Sequence, residues 1–328
     1  MEALGIDIGG TKIRAGVISA EGRLVCTAQV PTRALEGPGA VLEQVGTVGQ
    51  QVLAQCSRSV CGVGVASAGR IDSHTGAVLF STDAFKDWKG TPIKAELTRT
   101  FRLPVAVLND VNAAAVGEQW LGAAQGLQRA VVVALGTGVG GALIEGGRVA
   151  SGAHFAAGEI GHMAYRAGDR LCGCGHRGCF EPYVASAALA ADYSRAVGRN
   201  CGGEEVLAAY RTGEPAARVA VEEWLRALAT LLYSIQNGFD PERVILAGGI
   251  VDNAADYWPL LMEMLEAQSV RVDLHRAKLG SAASLYGAAR LALNLCDPER
   301  RRAIDNREEK PAWLESYAVP RRVRRSRV

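Results

Sequence analysis

The chain has 328 residues, of which 48% are apolar and 21% charged, with a net charge of +2. That length supports two domains with cores of their own, and so balanced a charge gives no global reason to expect nucleic acid or a membrane surface as partner. No run of 18 apolar residues offers a transmembrane helix, and the opening MEALGIDIGG lacks the basic and long apolar regions of a signal peptide.

The expected compartment is therefore the cytoplasm, where thiols stay reduced, and the eight cysteines read as metal ligands or small buried hydrophobes before disulfides. In chain order, LGIDIGG is a short apolar strand ending in a glycine turn. KIRAGVIS and GRLVCTAQV follow as hairpin strands joined by AEG. Ala40 to Cys56 reads as a helix, CGVGVAS and PVAVLND as buried strands, and VNAAAVGEQWLGAA as the helix that PVAVLND feeds. The pattern then restarts. AVVVALGTGVGGALI is strand, glycine turn and strand, echoing ALGIDIGGTKIRAGVI. Pro182 to Ala196 and Arg218 to Asn237 read as helices, RVILAGGI as a strand, and SAASLYGAARLALN as a late helix of small residues. Alternating strands and helices mark an α/β fold. The expected division is 1–120, plus a helix around 281–296 packing back, then 121–280, and a charged, poorly ordered tail over 297–328 ending in PRRVRRSRV.

Three apolar strands run into glycine turns, near residues 9, 138 and 248. Glycines let backbone N–H groups approach phosphate oxygens with no Cβ in the way. In DIGGTK, Thr11 adds a hydroxyl and Lys12 a cation, while Asp7 suits Mg²⁺, directly or through water. The formal GxGxxG of Gly136, Gly138 and Gly141 precedes a strand rather than a helix, so it fits a second phosphate-facing hairpin better than a dinucleotide site. Three such turns at strand ends in two matched halves point to a nucleotide cleft.

Asn109 and Asp110 close a strand and open a helix. An aspartate there is commonly an N-cap; at a cleft edge it also suits a general base for phosphoryl transfer to an alcohol. Cys172, Cys174 and Cys179 form C-x-C-x₄-C, too tight for an easy disulfide between the first two. With a fourth ligand they suit tetrahedral zinc. His162 gives H-x₉-C-x-C-x₄-C, and His176 lies inside the loop. A metal there would fix Glu159, His162 and Glu181 relative to one another, a set of directional donors and acceptors suited to sugar hydroxyls.

GIDIGGTK, LNDVNAAAVGE, LGTGVGGALI, AGEIGH, CGCGHRGCFE and ILAGGI together, in this order, resemble the ROK family of bacterial sugar kinases and repressors over about residues 4–295. The resemblance implies a two-domain actin-like ATPase (ribonuclease H-like) fold with a cleft for ATP and a sugar. It implies Asp110 as catalytic base on the sugar 6-hydroxyl, with Asn109, Glu159, His162 and Glu181 binding the sugar. Zinc would be held by His162, Cys172, Cys174 and Cys179. Gly9, Gly10, Thr11, Lys12, Thr137 and Gly138 would line the phosphates, Gly248 and Gly249 the adenosine, and Asp7 would help place Mg²⁺. The segment SAGRIDSHTGAVLFSTDAFKDW is similar to N-acetylmannosamine kinases, making Gly69, Arg70 and Thr82 sugar-side candidates. A homodimer is the family expectation. Family repressors carry a winged helix-turn-helix ahead of the kinase-like core. Here the first motif begins at Asp7 and the tail lacks a recognition-helix pattern, so the kinase is expected over a sugar-sensing regulator.

Overall fold

The computed structural model describes residues 1–56 and 59–297. The arginine-rich tail read from the sequence lies outside the described residues.

The chain begins with β1 (Glu2–Ile8), β2 (Lys12–Ser19) and β3 (Leu24–Pro31), an antiparallel meander. Helix α1 (Pro38–Gln55) leads to β4 (Val63–Ser67), a small hairpin of β5 (Arg70–Asp72) and β6 (Ala77–Phe80), helix α2 (Ile93–Phe101), β7 (Val105–Asn109) and helix α3 (Asp110–Leu121). The first sheet has the order β3-β2-β1-β4-β7, with β1, β4 and β7 parallel. Every residue of β1 and β4 is buried. A parallel strand covered on both faces needs such a continuous apolar run, whereas β3, at the edge, alternates exposed and half-buried positions.

The second half repeats the plan. Strands β8 (Ala130–Leu135), β9 (Val139–Glu145) and β10 (Arg148–Val149) form a second meander. Four helices follow: α4 (Glu181–Val184), α5 (Ser186–Val197), α6 (Gly203–Arg211) and α7 (Pro215–Phe239). Then come β11 (Arg243–Ala247), α8 (Gly249–Asp252), α9 (Trp258–Ala267), β12 (Leu274–Arg276) and α10 (Ala283–Cys296). The sheet order β10-β9-β8-β11-β12 reproduces the first sheet strand for strand. The helix expected over 182–196 is two helices, because Ala185 is extended (φ −61°, ψ 149°) between α4 and α5.

Each lobe has its own core. In the first, Val41, Val45, Val48 and Val52 of α1 pack with Leu4, Ile6, Val63 and Val65. In the second, Trp224, Leu225, Leu228 and Leu232 of α7 pack with Val131, Val133, Val244 and Leu246. Each such side chain fully withdrawn from water contributes about 1.5–3 kcal/mol.

Helices α3 and α10 lie side by side between the sheets. Ala115 of α3 packs on Ala130, Val132 and Ile245 of the second sheet, while α10 lies on β1 and β4 of the first. The small residues of α10 permit this. A Cβ on Gly64 would lie 1.6 Å from the Ala288 carbonyl oxygen, and one on Gly287 would lie 1.7 Å from that of Ala113. Backbone rests directly on backbone.

The sulfurs of Cys26 and Cys56 are paired, tying β3 to the end of α1, contrary to the expectation of reduced thiols throughout; the other six cysteines are free. No helix among the described residues is long and apolar enough to cross a membrane.

Candidate active site

Strand register gathers the site. Ile8, Ser67 and Asn109 lie in one row across β1, β4 and β7, so the DIGGTK turn, the Ala68-Gly69 segment and Asp110 all leave the same edge of the first sheet. In the second sheet Ala134 and Ala247 are partners, which brings Thr137 and Gly138 to the same edge as Gly248 and Gly249. Ligands of α/β folds bind outside such carboxyl ends of strands. The two edges face one another. Val111 of α3 meets the position a Cβ of Gly140 would occupy, and His74 and Phe155, from opposite lobes, make an edge-to-face ring contact at 5.3 Å.

The helix cap separates Asn109 from Asp110. The Asn109 side-chain oxygen accepts from Val111 N (2.9 Å) and Asn112 N (3.1 Å), and so caps α3. Its amide donates to the Gly69 carbonyl (2.9 Å) and to Asp110 Oδ1 (2.9 Å). Asp110 also accepts from Val111 N at 2.9 Å, but the cap does not depend on it. Its carboxyl is pushed up to about 7, first by burial and then by the negative charge of Asp7, with Glu159 adding to the effect. A carboxyl raised toward neutrality suits a general base.

Asp7 forms an ion pair with Arg14 at 2.9 Å. Arg14 also reaches the Ser281 carbonyl and hydroxyl, just ahead of α10. Arg14 was not singled out from the sequence, yet the signal was there. A hairpin turning at Gly9–Lys12 pairs Ile8 with Ile13 and Asp7 with Arg14. In that turn Gly9 N donates to the Lys12 carbonyl at 3.1 Å, and Gly10, Thr11 and Lys12 are exposed. In the second turn Thr137 is exposed, and Gly136 N donates to the Gly138 carbonyl at 3.0 Å. Beside Gly248, whose φ of +102° suits glycine, opens a cavity of about 410 Å³ lined by Asp252, His275, Arg276, Lys278 and Gly280.

The cysteine loop converges as its spacing suggested. Ligand atoms of His162, Cys172, Cys174 and Cys179 all lie within 4.8 Å of one another. His162 Nδ1 is 3.5 Å from Cys172 Sγ, and the Cys174 and Cys179 sulfurs are 3.7 Å apart. Tetrahedral zinc with sulfur and nitrogen ligands has ligand–ligand edges of about 3.3–3.8 Å, so these four residues fit a metal. His176 is exposed and outside the cluster; its carbonyl accepts from Cys172 N at 2.8 Å. Since Nδ1 of His162 faces the sulfurs, Nε2 is left on the other side of the ring, 3.9 Å from Glu159 Oε2.

Glu181 bridges the parts. Its Oε2 accepts from Val139 N in the second glycine turn (2.9 Å), and its Oε1 lies 3.4 Å from Cys172 Sγ. A Cβ on Gly138 would lie 2.6 Å from that Oε2, so any side chain here would displace the carboxylate. On the first lobe, Arg70 has a buried Nε with no hydrogen-bond partner, as does the Oδ1 of Asn112, a residue not marked from sequence. Thr82 is exposed, two residues past the β5–β6 pairing of Arg70 with Phe80. Glu118, also missed, is fully buried near the end of α3.

The chain is 32% identical over 316 residues to a glucokinase of Streptomyces coelicolor, covering 88% of this chain and 96% of that one. It is 30% identical over 304 residues to an N-acetyl-D-glucosamine kinase of Yersinia pseudotuberculosis, covering 88% and 98%. Among solved structures, a ROK family glucokinase from Streptomyces griseus, in complex with glucose and AMPPNP, superposes with a TM-score of 0.79 at 31% identity, covering 89% of this chain and 99% of that one. The family profile described as ROK matches residues 3–294, and this chain belongs to the ROK family.

Proposed function

We propose that the protein is an ATP-dependent sugar kinase that phosphorylates the 6-hydroxyl of a hexose or N-acetylhexosamine, with glucose and N-acetylmannosamine the first candidates. One observation carries the reading: Asn109 caps α3 beside Asp110, whose own carboxyl is raised to about 7 by burial and by the charges of Asp7 and Glu159.

In this reading the sugar lies between Asn109, Asp110, Gly69, Arg70 and Thr82 on one side and Glu159, His162 Nε2 and Glu181 on the other. The buried, unpartnered Arg70 Nε supports a polar ligand on the first side. Glu181 keeps one oxygen on Val139 N, which couples the sugar wall to the phosphate turn. Asp110 accepts the proton of the 6-hydroxyl as that oxygen attacks the γ-phosphate and ADP leaves. Backbone N–H groups of Gly10, Thr11, Thr137 and Gly138 hold the phosphoryl oxygens, with Gly9 and Lys12 beside them, and the lobes close to exclude water. The adenosine occupies the cavity beside Gly248 and Gly249. Mg²⁺, held by Asp7 and the phosphates, would supply charge neutralisation on the transferring group. Zinc, held by His162, Cys172, Cys174 and Cys179, would be structural, fixing the loop that carries His162 and Glu181. The working form is a cytoplasmic homodimer.

The test is a coupled ADP-release assay with glucose, N-acetylmannosamine, N-acetylglucosamine, mannose and fructose. Sugar-dependent ADP release with a 6-phosphate product is expected for at least one. Silence with all five would contradict the reading.

A further inference from the structure

The chain passes between the lobes twice among the described residues, from α3 to β8 through residues 122–129 and from β12 to α10 through residues 277–282. One side chain holds both passages. Glu118 Oε2 accepts from Ala123 N (2.6 Å) in the first and Lys278 N (3.1 Å) in the second, and Oε1 accepts from Leu279 N (2.8 Å). The residue is fully buried, and three backbone N–H groups rather than a cation answer its charge. Buried carboxylates are costly unless fully hydrogen-bonded, so this one is a strong constraint on wherever its donors sit.

The surroundings are shaped for it. Gly122 begins the first passage, and a Cβ there would lie 2.0 Å from Glu118 Oε2. One residue earlier, a Cβ on Gly117 would lie 2.3 Å from the Ala283 carbonyl oxygen. The close α3–α10 packing thus ends where the carboxylate begins. The second passage also reaches the cleft: Lys278 and Gly280 line the cavity beside Gly248, and Ser281 holds Arg14, the partner of Asp7.

We infer that Glu118 is a positioning residue, a pin that sets the two inter-lobe connections relative to each other and so aligns the nucleotide side of the cleft with Asp7 and Asp110. This inference rests on the sugar-kinase reading for its effect on turnover, though not for the pin itself.

The test compares Glu118→Gln, Glu118→Asp and Gly122→Ala with the parent protein. In Glu118→Gln one acceptor becomes a donor facing N–H groups. Glu118→Asp keeps the charge but draws it back by one methylene. Gly122→Ala leaves the carboxylate intact and displaces it. Hydrogen exchange is read first, without any substrate. Amides in 122–128 and 277–282 should exchange at least ~10-fold faster together, while β1 and β8 stay protected. Turnover at saturating substrates should then fall at least ~10-fold, because small misplacements far from the chemistry cost rate. The rising limb of the pH profile, which belongs to Asp110, should stay where it is.

Loss of protection in only one passage, in whichever variants fold, overturns the pin. Faster exchange in both with turnover within two-fold of the parent overturns its effect on catalysis and leaves a structural brace. If the parent turns over no sugar, the kinase reading fails, and the joint exchange of the two passages still decides the pin.

Discussion

Replacing Asp110 with asparagine tests the proposed base in two directions at once. In the folded protein its carboxyl is raised to about 7 by burial and by Asp7 and Glu159, against about 3.9 in an unfolded chain. The fold therefore binds this proton more tightly than the unfolded chain does. Its contribution to stability is fully present below pH ~4, declines as pH rises, and is gone once pH passes ~7. At 1.36 kcal/mol per pH unit, ionising Asp110 in the fold costs about 4 kcal/mol, or about 2–4 kcal/mol allowing for its being only half-buried. Asparagine keeps an oxygen that can accept from Val111 N and Asn109 Nδ2 and carries no charge. Urea unfolding of the ligand-free protein should thus find Asp110→Asn more stable than the parent at pH 8 by about 2–4 kcal/mol, with the difference largely gone at pH 4–5. Turnover should fall by at least ~10²-fold with sugar affinity nearly unchanged. The parent's kcat/KM should climb through pH ~7, and the variant's residual rate should lack that limb. Near-parental turnover, or a variant less stable than the parent at pH 8, would refute the assignment.

Other substitutions probe the supports of the site. Cys174→Ser should lose bound zinc, measured by plasma mass spectrometry, and turnover with it by ~10–100-fold; zinc lost with activity kept would end the scaffold idea. Gly138→Ala forces the Glu181 carboxylate off Val139 N, because the added Cβ would lie 2.6 Å from Oε2. The ATP KM should rise or kcat fall by ~10-fold with circular dichroism unchanged, since a single charge-assisted hydrogen bond is worth about 1.5–3 kcal/mol, and parameters within two-fold would contradict the coupling. Gly287→Ala puts a methyl 1.7 Å from a backbone oxygen of Ala113, so urea unfolding should show a loss of at least ~3 kcal/mol; an unchanged midpoint would mean that α3 and α10 do not pack this closely.

Much of the fold was legible because it repeats. The two strand–turn–strand echoes at DIGGTK and LGTGVGG are the first hairpins of two sheets with the same strand order. The apolar runs of β1, β4, β8 and β11 read as buried strands because parallel strands covered on both faces must be apolar throughout. Elements held by tertiary contacts gave little local signal. The three-residue β12 pairs with β11 on only three residues and is mostly exposed, and the break at Ala185 leaves no proline or glycine behind. The Cys26–Cys56 pairing joins residues 30 apart, a distance no spacing rule spans. In the site, the metal set was visible from spacing because its ligands are close in sequence. What adjacency concealed was the division of labour between Asn109 and Asp110, since either can cap a helix. Arg14 could have been found from hairpin register. Glu118 could not, because its three donors come from segments 5 and about 160 residues away.

The central claim is that Asp110 faces the sugar's 6-hydroxyl across a cleft whose other wall grips ATP. A crystal structure of the Asp110→Asn protein with a bound hexose and a non-hydrolysable ATP analogue tests it most directly. The account predicts the asparagine side chain within hydrogen-bond reach of O6, about 2.6–3.2 Å, with O6 aimed at a γ-phosphate held by residues 9–12, Thr137 and Gly138. A sugar seated away from residue 110, or phosphates that ignore both glycine turns, would contradict it.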